Sequence, residues 1–364
     1  MKIAIVSPYD ISKTGGVTNH VINLANELTN QGNIVSIIAP SSDKAFSLNQ
    51  INFLNAGKPT LVNFGSTKAS ISVKFTSIIK VRNFLQKNSF DLVHIHEPLV
   101  PFVSLFSLIF SKSPVVITFH ATFNSNWKFK FWGFLFRDWV LASISKICVS
   151  ETAGSTLKNY GYDFNYELIP NGIDLERFKV KKNQVSQKLK ILFVGRNEDR
   201  KGIKILLEAF MIVSAKYSNV ELNLVGEGVA SLSTDYINMP NCKFYDHMEG
   251  QELVDMYHGA QIFCSPAIEN ESFGIVLLEA MASGLAVVAS DIDGYRGIVN
   301  NYDNGILFKS GDIKSLADAL CDLIENRDMI NKLSLNGIHF SKEYSWKEVS
   351  RDIIFNYEKS IKIG

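Results

Sequence analysis

On both sides of a Pro/Asn/Gly cluster near residue 170, the chain alternates short apolar runs with longer amphipathic stretches. That alternation is the pattern of βαβ units, in which parallel strands covered on both faces are joined by crossover helices. In the first half it predicts strands at 3–7, 34–39, 92–95, 115–119 and 146–150, and helices at 17–30 and 74–87. In the second half strands are predicted at 190–194, 221–225, 243–245, 261–265, 286–289 and 305–308. Helices at 203–215, 251–258, 274–282 and 312–326 fall between them. A chain of 364 residues exceeds one ordinary core and suits two domains of about 150–200 residues each. The expected fold is α/β, with two Rossmann-like domains facing a central cleft and ligands at the carboxyl ends of the strands. The turn Ile169-Pro170-Asn171-Gly172 sets the boundary, giving domains of 1–169 and 170–344. A lysine-bearing loop follows at 179–188, and the pattern of the last helix, 346–361, does not say where it packs.

Composition removes several classes of function. A net charge of +1 provides no global field for nucleic acid, so none is expected as a partner. Cys148, Cys242, Cys264 and Cys321 form no CxxC pair, and Cys148 and Cys264 lie in apolar runs as buried thiols suited to a reducing compartment. The N-terminus opens directly on a strand pattern with no signal-peptide features. The most hydrophobic stretch, 99–119, is broken by Pro101, Lys112 and Pro114, and its longest uncharged piece, 99–110, is shorter than the ~18–20 residues of a membrane span. A cytoplasmic chain that does not cross a membrane is expected.

The segment from Glu269 through Glu271, Ser272, Phe273, Gly274 and Ile275 to Glu279 carries the strongest chemical signal. A strand leads into an acidic loop, then Ser272-Phe273-Gly274 opens an apolar helix, whose free N–H groups and positive dipole end suit a diphosphate. Two carboxylates beside an anion site have the wrong sign for phosphate alone. They suit hydroxyl groups of a sugar and a ribose, because an ionised carboxylate only accepts hydrogen bonds. The plainer alternative makes Glu271 a helix cap and leaves Glu279 in solvent.

A second constellation, Val194-Gly195-Arg196 with Arg200-Lys201-Gly202, follows a strand and precedes a helix. Arg196 and Lys201 are expected to converge on one anion and stabilise a diphosphate leaving group without a metal, unless the loop is simply solvated charge. The Lys13-Thr14-Gly15-Gly16-Val17-Thr18 loop is glycine-rich but is not a GxGxxG fingerprint; its glycines suit close approach of a ligand or of the opposite domain. His94, His96 and His120 stand at strand ends. Metal binding would need a third well-placed ligand and a supporting shell, so no metal site is expected, and His120 is available for a sugar.

Two segments interleave cations and apolar groups. In 74–87, Ile78, Val81 and Leu85 form a stripe, with Lys80, Asn83 and Lys87 on another face. Trp127-Lys128-Phe129-Lys130-Phe131-Trp132 is followed by Phe134, Phe136, Arg137 and Trp139. Such stretches fit a lipid interface with anionic headgroups, or else an ordinary core helix with a basic outer face.

Taken together, the Gly15-Gly16 loop, Pro170-Asn171-Gly172-Ile173-Asp174, Gly195-Arg196 with Arg200-Lys201-Gly202, and Glu271-x7-Glu279 resemble the family-4 retaining glycosyltransferases of the GT-B fold. His94-Ile95-His96-Glu97-Pro98, Thr118-Phe119-His120-Ala121 and 271–276 with 286–291 look like the bacterial phosphatidyl-myo-inositol α-mannosyltransferases. The resemblance implies a hexosyltransferase with a GDP-mannose donor and a phosphatidyl-myo-inositol acceptor. It implies no tightly bound cofactor, and Mg2+ is permitted but required by no visible ligand set. It also implies peripheral attachment to anionic phospholipid at the inner face of the cell membrane, and a monomer. Within the same family, UDP-glucose as donor or diacylglycerol or another glycolipid as acceptor are the alternatives; a nucleotide-sugar epimerase is a further one, and a non-catalytic lipid- or sugar-nucleotide-binding protein the last.

By position, the resemblance assigns Arg196 and Lys201 to the diphosphate and Gly16 to its close approach. Glu271, with Ser272, Phe273, Gly274 and Ile275, belongs to the sugar and the anion site, Glu279 to the ribose and Met248 to the base. His120 takes the reacting region of the donor sugar, and Tyr9, Thr18, Asn63 and Lys68 take the acceptor side. It also returns the closing helix, 345–364, to the N-terminal, acceptor-binding domain, and leaves the C-terminal domain to bind the nucleotide sugar. Three departures fall on the acceptor side: Thr18 replaces a longer amide, Lys68 replaces an arginine, and the loop before Asn63 lacks an aromatic residue.

Overall fold

The computed structural model describes residues 1–64, 67–121, 127–180 and 188–361, and the chain forms two compact units: Met1–Gly172 with Trp346–Gly364, and Ile173–Ser345. The first unit contains β1 (Lys2–Val6), β2 (Ile34–Ala39), β3 (Asn52–Asn55), β4 (Thr60–Phe64), β5 (Thr67–Ile71), β6 (Leu92–His96), β7 (Val115–Phe119), β8 (Ser145–Cys148) and β9 (Glu167–Leu168). Seven of them make one parallel sheet in the order β3-β2-β1-β6-β7-β8-β9, while β4 and β5 pair as an antiparallel hairpin. β6 and β7 are buried throughout, as strands covered on both faces must be.

Helix Gly16–Asn30 buries Val21, Leu24, Ala25 and Leu28, a spacing of three and four that forms one apolar stripe. That stripe packs with Ile3, Ile5, Val35, Ile37 and Leu92 of the sheet, and with Trp346, Val349, Ile353 and Tyr357 of the closing helix Trp346–Ile361. Each such side chain contributes about 1.5–3 kcal/mol when fully buried, so the closing helix is an integral part of this core.

The second unit holds β10 (Leu189–Val194), β11 (Val220–Val225), β12 (Cys242–Tyr245), β13 (Ile262–Ser265), β14 (Ala286–Ser290) and β15 (Gly305–Phe308). They form a parallel sheet in the order β12-β11-β10-β13-β14-β15. Its core joins Ile191, Phe193, Leu222 and Val288 to Leu206, Phe210, Leu316 and Leu320 of the helices Ile203–Lys216 and Ile313–Glu325. In both sheets the strand order reverses once, beside β1 in the first and beside β10 in the second. Loops leaving the carboxyl ends of β1 and β6, and of β10 and β13, flank these reversal points, where open α/β sheets bind their ligands. Among the described residues, no helix is long and apolar enough to cross a membrane.

Candidate active site

In the second unit, the loop after β10 tightens into a single 3-10 turn, Asp199–Lys201, closed by Gly202 in the left-handed region at φ 69°. A Cβ on Gly202 would stand 2.0 Å from the carbonyl oxygen of Pro266, so only glycine lets this turn lie against the loop after β13. The Ile268 amide donates to the Arg200 carbonyl at 2.8 Å and ties the two loops together. The consequence is a charged cluster. Arg200 Nη1 and Lys201 Nζ both meet Glu271 Oε1, at 2.6 and 2.5 Å, with the three side chains only 12–16% exposed. Arg200 Nε also reaches Glu198 Oε2 at 2.7 Å, and the other oxygen of Glu198 takes Arg196 Nη1 at 2.9 Å. Within the protein itself, the cation that shares a partner with Lys201 is Arg200, whereas the expected convergence of Arg196 and Lys201 is on a bound anion. The turn swings Arg200 and Lys201 onto Glu271, while half-exposed Arg196 remains one carboxylate away.

Helix Ile275–Ala282 starts after Gly274, which sits at φ 85° and provides no side-chain cap. Glu271 lies outside the helix and is not its cap, so the alternative role considered for it does not hold. Ser272 is half-buried, Phe273 is buried with its ring 6.0 Å from that of Tyr344, and Ile275 forms the first turn. Glu279, one turn into the helix, is not left in solvent either. Its Oε2 accepts from the Tyr257 hydroxyl at 2.9 Å, and burial, only partly offset by that bond and by Arg177, pushes its carboxyl up to about 7. Met248 is half-buried on the segment between β12 and helix Gly250–His258.

In the first unit, β1 leads to half-buried Tyr9, whose phenol is held well above its ordinary pKa by burial and by the nearby Glu97 carboxyl. Among the described residues, no atom beyond its chain neighbours and its own helical turn comes within 4 Å of the position a Cβ would take on Gly16, so their packing does not demand glycine there. Thr18 is turned inward: its hydroxyl donates to the Lys13 and Gly15 carbonyls at 2.9 and 3.0 Å, and it shapes the glycine loop rather than projecting from it. Asn63 and Lys68 face each other across the β4–β5 pair, and their side chains lie outside the described residues.

After β6 the backbone turns through Glu97 at φ 49°, and the buried Glu97 carboxylate accepts from the His120 and Ala121 amides at 2.7 and 2.8 Å. This bond fixes the loop after β7. His120 is itself buried, and its Nε2 lies 2.9 Å from His96 Nδ1. His94 and His96 share a strand face, with ring centroids 4.3 Å apart. His94 is bonded on both sides, to the Tyr357 hydroxyl and to Thr118 Oγ1, each at 2.6 Å. Burial lowers the imidazoles, His94 to about 3 and His20 to about 4, so the nest is neutral.

His20, on helix Gly16–Asn30, completes the nest and was missed in the sequence because it stands in a helix far from the strand-end histidines. Arg200 and Glu97 stand within the motifs with no signal of their own role, since only the turn geometry reveals their partners. The nitrogens of His20, His96 and His120 lie within 4.8 Å of one another. Ligands on one zinc at 2.0–2.1 Å stand about 3.4 Å apart, and His96 and His120 already bond each other.

Two family models match the chain: "Glycosyltransferase Family 4" over residues 14–177 and "Glycosyl transferases group 1" over 174–340. The phosphatidyl-myo-inositol mannosyltransferase of Mycobacterium leprae is 30% identical, across 98% of this chain and 96% of that protein. The enzyme of the same description from Mycobacterium tuberculosis is also 30% identical, across 98% and 97%. Among solved structures, sucrose-phosphate synthase from Thermosynechococcus elongatus superposes with a TM-score of 0.80 at 19% identity, covering both chains fully. HepE of Anabaena, in complex with UDP, gives 0.77 at 19%, covering 99% of this chain and 100% of that one. Two parallel-sheet units, full-length kinship to mannosyltransferases and structural likeness to nucleotide-sugar enzymes agree: the chain belongs to the family-4 glycosyltransferases of the GT-B fold, and is a hexosyltransferase.

Proposed function

We propose that this protein is a retaining mannosyltransferase that moves mannose from GDP-mannose to the inositol headgroup of phosphatidyl-myo-inositol. The observation that carries the donor half is the convergence of Arg200 and Lys201 on Glu271 beside an uncapped helix start. In the donor complex, Lys201 exchanges Glu271 for the diphosphate, together with Arg196 and the N–H groups of Phe273, Gly274 and Ile275. Glu271 is then available to accept from sugar hydroxyls, oriented by Arg200 and with Ser272 alongside. Glu279 takes the ribose, Met248 the base, Gly16 admits the diphosphate and His120 the reacting region of the sugar. Tyr9, Asn63 and Lys68 serve the acceptor, with Thr18 holding the loop between.

In the reaction, the bond from the anomeric carbon to the phosphate oxygen breaks while the acceptor oxygen bonds to the same face of that carbon. The acceptor's proton passes to the departing phosphate oxygen, so no protein nucleophile and no metal are needed. Charge growing on the diphosphate is stabilised by fixed cations and helix N–H groups.

The names and full-length coverage of the mannosyltransferase relatives support the choice of sugar and lipid. An acceptor embedded in a bilayer is supported by helix Trp127–Leu135, where Trp127, Phe131 and Phe134 are 73%, 59% and 74% exposed. Their spacing of four and three places them on one face, with Lys128 and Lys130 nearby for anionic headgroups. The chain so placed works as a monomer on the cytoplasmic leaflet. A panel of GDP-mannose, UDP-glucose and UDP-N-acetylglucosamine against liposomes containing phosphatidylinositol or diacylglycerol, read by mass spectrometry, tests the reading. Mannosyl-phosphatidylinositol is expected from GDP-mannose alone. Transfer from another donor, to diacylglycerol only, or epimerised donor without acceptor overturns it.

A further inference from the structure

Arg196, Glu198, Arg200, Glu271 and Lys201 form one line of alternating charge in the second unit. Arg200 stands in the middle and is nearly saturated. Its Nε donates to Glu198 Oε2 at 2.7 Å, and its Nη1 donates to Glu271 Oε1 at 2.6 Å and to the Asn270 carbonyl at 3.4 Å. The two cations at the ends carry several donors, yet among the described residues each meets a single carboxylate. Arg196 uses its Nη1, which lies 2.9 Å from Glu198 Oε1. Its Nε–Nη2 edge, which can grip a phosphate through two parallel bonds, makes no hydrogen bond or ion pair among the described residues.

Glu198 is itself fixed along the backbone. Its amide donates to the Arg196 carbonyl at 2.8 Å, and its carbonyl accepts from the Lys201 amide at 2.9 Å. Its two carboxylate oxygens take one arginine each, so it can keep Arg196 in place while that guanidinium meets a ligand. The Arg196 side chain is 44% exposed against 13% for Arg200, and a long exposed side chain samples many rotamers unless a partner holds it. Among the described residues, that partner is Glu198.

We infer that Glu198, braced by Arg200, is a positioning residue that fixes the Arg196 guanidinium with its phosphate-gripping edge open. The sign of its charge makes this role diagnostic. A carboxylate beside an anion site weakens anion binding by repulsion, so its presence there costs ground-state affinity. A cation held in place acts most strongly where charge grows on the leaving diphosphate, in the transition state. Removing Glu198 therefore separates nucleotide affinity from turnover. The catalytic half of this inference rests on Arg196 meeting the donor diphosphate, as proposed above; the tether between Glu198 and Arg196 does not.

Two measurements test it. Carbon-detected NMR of protein labelled with 13C,15N-arginine follows rotation of each guanidinium about its Cζ–Nε bond, with resonances assigned by Arg196→Gln and Arg200→Gln. Without any ligand, Arg196 should rotate about tenfold more slowly in the unsubstituted protein than in Glu198→Gln. Equal rates overturn the tether, and the inference with it. The second measurement pairs calorimetry with GDP and transfer kinetics from GDP-mannose to phosphatidylinositol liposomes. Glu198→Gln keeps the shape of the side chain but puts an NH2 where one arginine had its acceptor. It should bind GDP as tightly as the unsubstituted protein or about two- to threefold more tightly, and lower kcat about tenfold. In an Arg196→Gln background the same substitution should change kcat less than about twofold, because a residue that acts through Arg196 has nothing left to act on. A fall in Tm and GDP affinity together with kcat, or the full loss in the Arg196→Gln background, makes Glu198 merely structural and refutes the inference. Unchanged or faster turnover makes it a rival of the diphosphate for Arg196 and refutes the inference as well. A held Arg196 in a protein that binds no GDP sinks the donor reading, and the catalytic half of the inference falls with it while the tether stands.

Discussion

Glu279 offers a test of ribose binding that depends on proton linkage rather than on loss of activity. Burial among Tyr257 and the helix packing pushes its carboxyl from an ordinary 4.5 up to about 7. A carboxylate that accepts from two ribose hydroxyls must be ionised, so nucleotide binds the deprotonated form and expels the proton. With half-ionisation near 7, about one molecule in eleven is competent at pH 6 and about ten in eleven at pH 8, so affinity should fall about tenfold, or about 1.4 kcal/mol, over that interval. Calorimetry with GDP at several pH values, in two buffers of different ionisation enthalpy, measures both the slope and the proton released. Glu279→Gln provides the reference: it keeps a partner for the Tyr257 hydroxyl and cannot titrate, so the titration of the nucleotide's own phosphate cancels in the comparison. The variant should bind more weakly at pH 8 with most of the slope removed. Equal slopes in both proteins, or tighter wild-type binding below pH 7, would refute the reasoning.

The same group sets a stability prediction: its raised pKa means the native state holds the proton more tightly than the unfolded chain. Its contribution is greatest below about pH 4.5 and declines as pH rises through about 7, a difference worth about 3 kcal/mol by pH 8, so Glu279→Gln should raise Tm by about 5–10 °C at pH 8 and by about a quarter of that at pH 5, by calorimetry. Lys201→Ala and Glu271→Ala should each lower kcat about 10²–10³-fold with unaltered circular dichroism, and near-normal turnover by either would dismiss the site. Gly202→Ala forces a Cβ to 2.0 Å from the Pro266 carbonyl at φ 69°; a loss of about 1–3 kcal/mol in urea unfolding is expected, accompanied by weaker nucleotide binding. Trp127→Ser with Phe134→Ser should leave Tm unchanged, since both rings are exposed, yet reduce co-sedimentation with phosphatidylinositol liposomes at least tenfold.

Strands such as β1, β6, β10 and β14 were legible because parallel strands buried on both faces read as continuous apolar runs. β3 (Asn-Phe-Leu-Asn) was not, because it is half-exposed, and β9 has only two residues, too few for any periodicity. The closing helix shows an apolar stripe in sequence, but nothing in a stripe names its partner; that depends on which core is left uncovered. The same limit applies to the candidate site. The residue types near Glu271 suit an anion and a sugar, whereas the pairing of Arg200 with Lys201 follows from one left-handed glycine and a loop stitched to Pro266 and Ile268. Likewise His20 carries no local signal of its ligand-like surroundings, because its neighbours come from β6, β7 and the inter-unit turn.

The two glutamates of the Glu-x7-Glu spacing are told apart by where the helix begins. Because Gly274 rather than Glu271 precedes the first turn, Glu271 remains in a loop that can reach two cations, and its charge is compensated before any ligand arrives. Glu279 lies a full turn inside the helix, where its hydrogen-bond partner is a neutral phenol and its charge is only partly compensated, by Arg177. A ligand that brings a diphosphate and a diol answers both conditions at once. In the proposed donor complex the diphosphate takes Lys201 from Glu271 and frees that carboxylate for sugar hydroxyls, while the diol gives Glu279 the donors that let it ionise. A nucleotide without its sugar separates Lys201 from Glu271 in the same way but brings no sugar hydroxyl to that carboxylate. Binding of GDP-mannose should therefore disturb the Lys201–Glu271 pair in a way that GDP alone reproduces and Glu271→Gln weakens only for the sugar-bearing ligand, which separates the two carboxylates by calorimetry on a single variant.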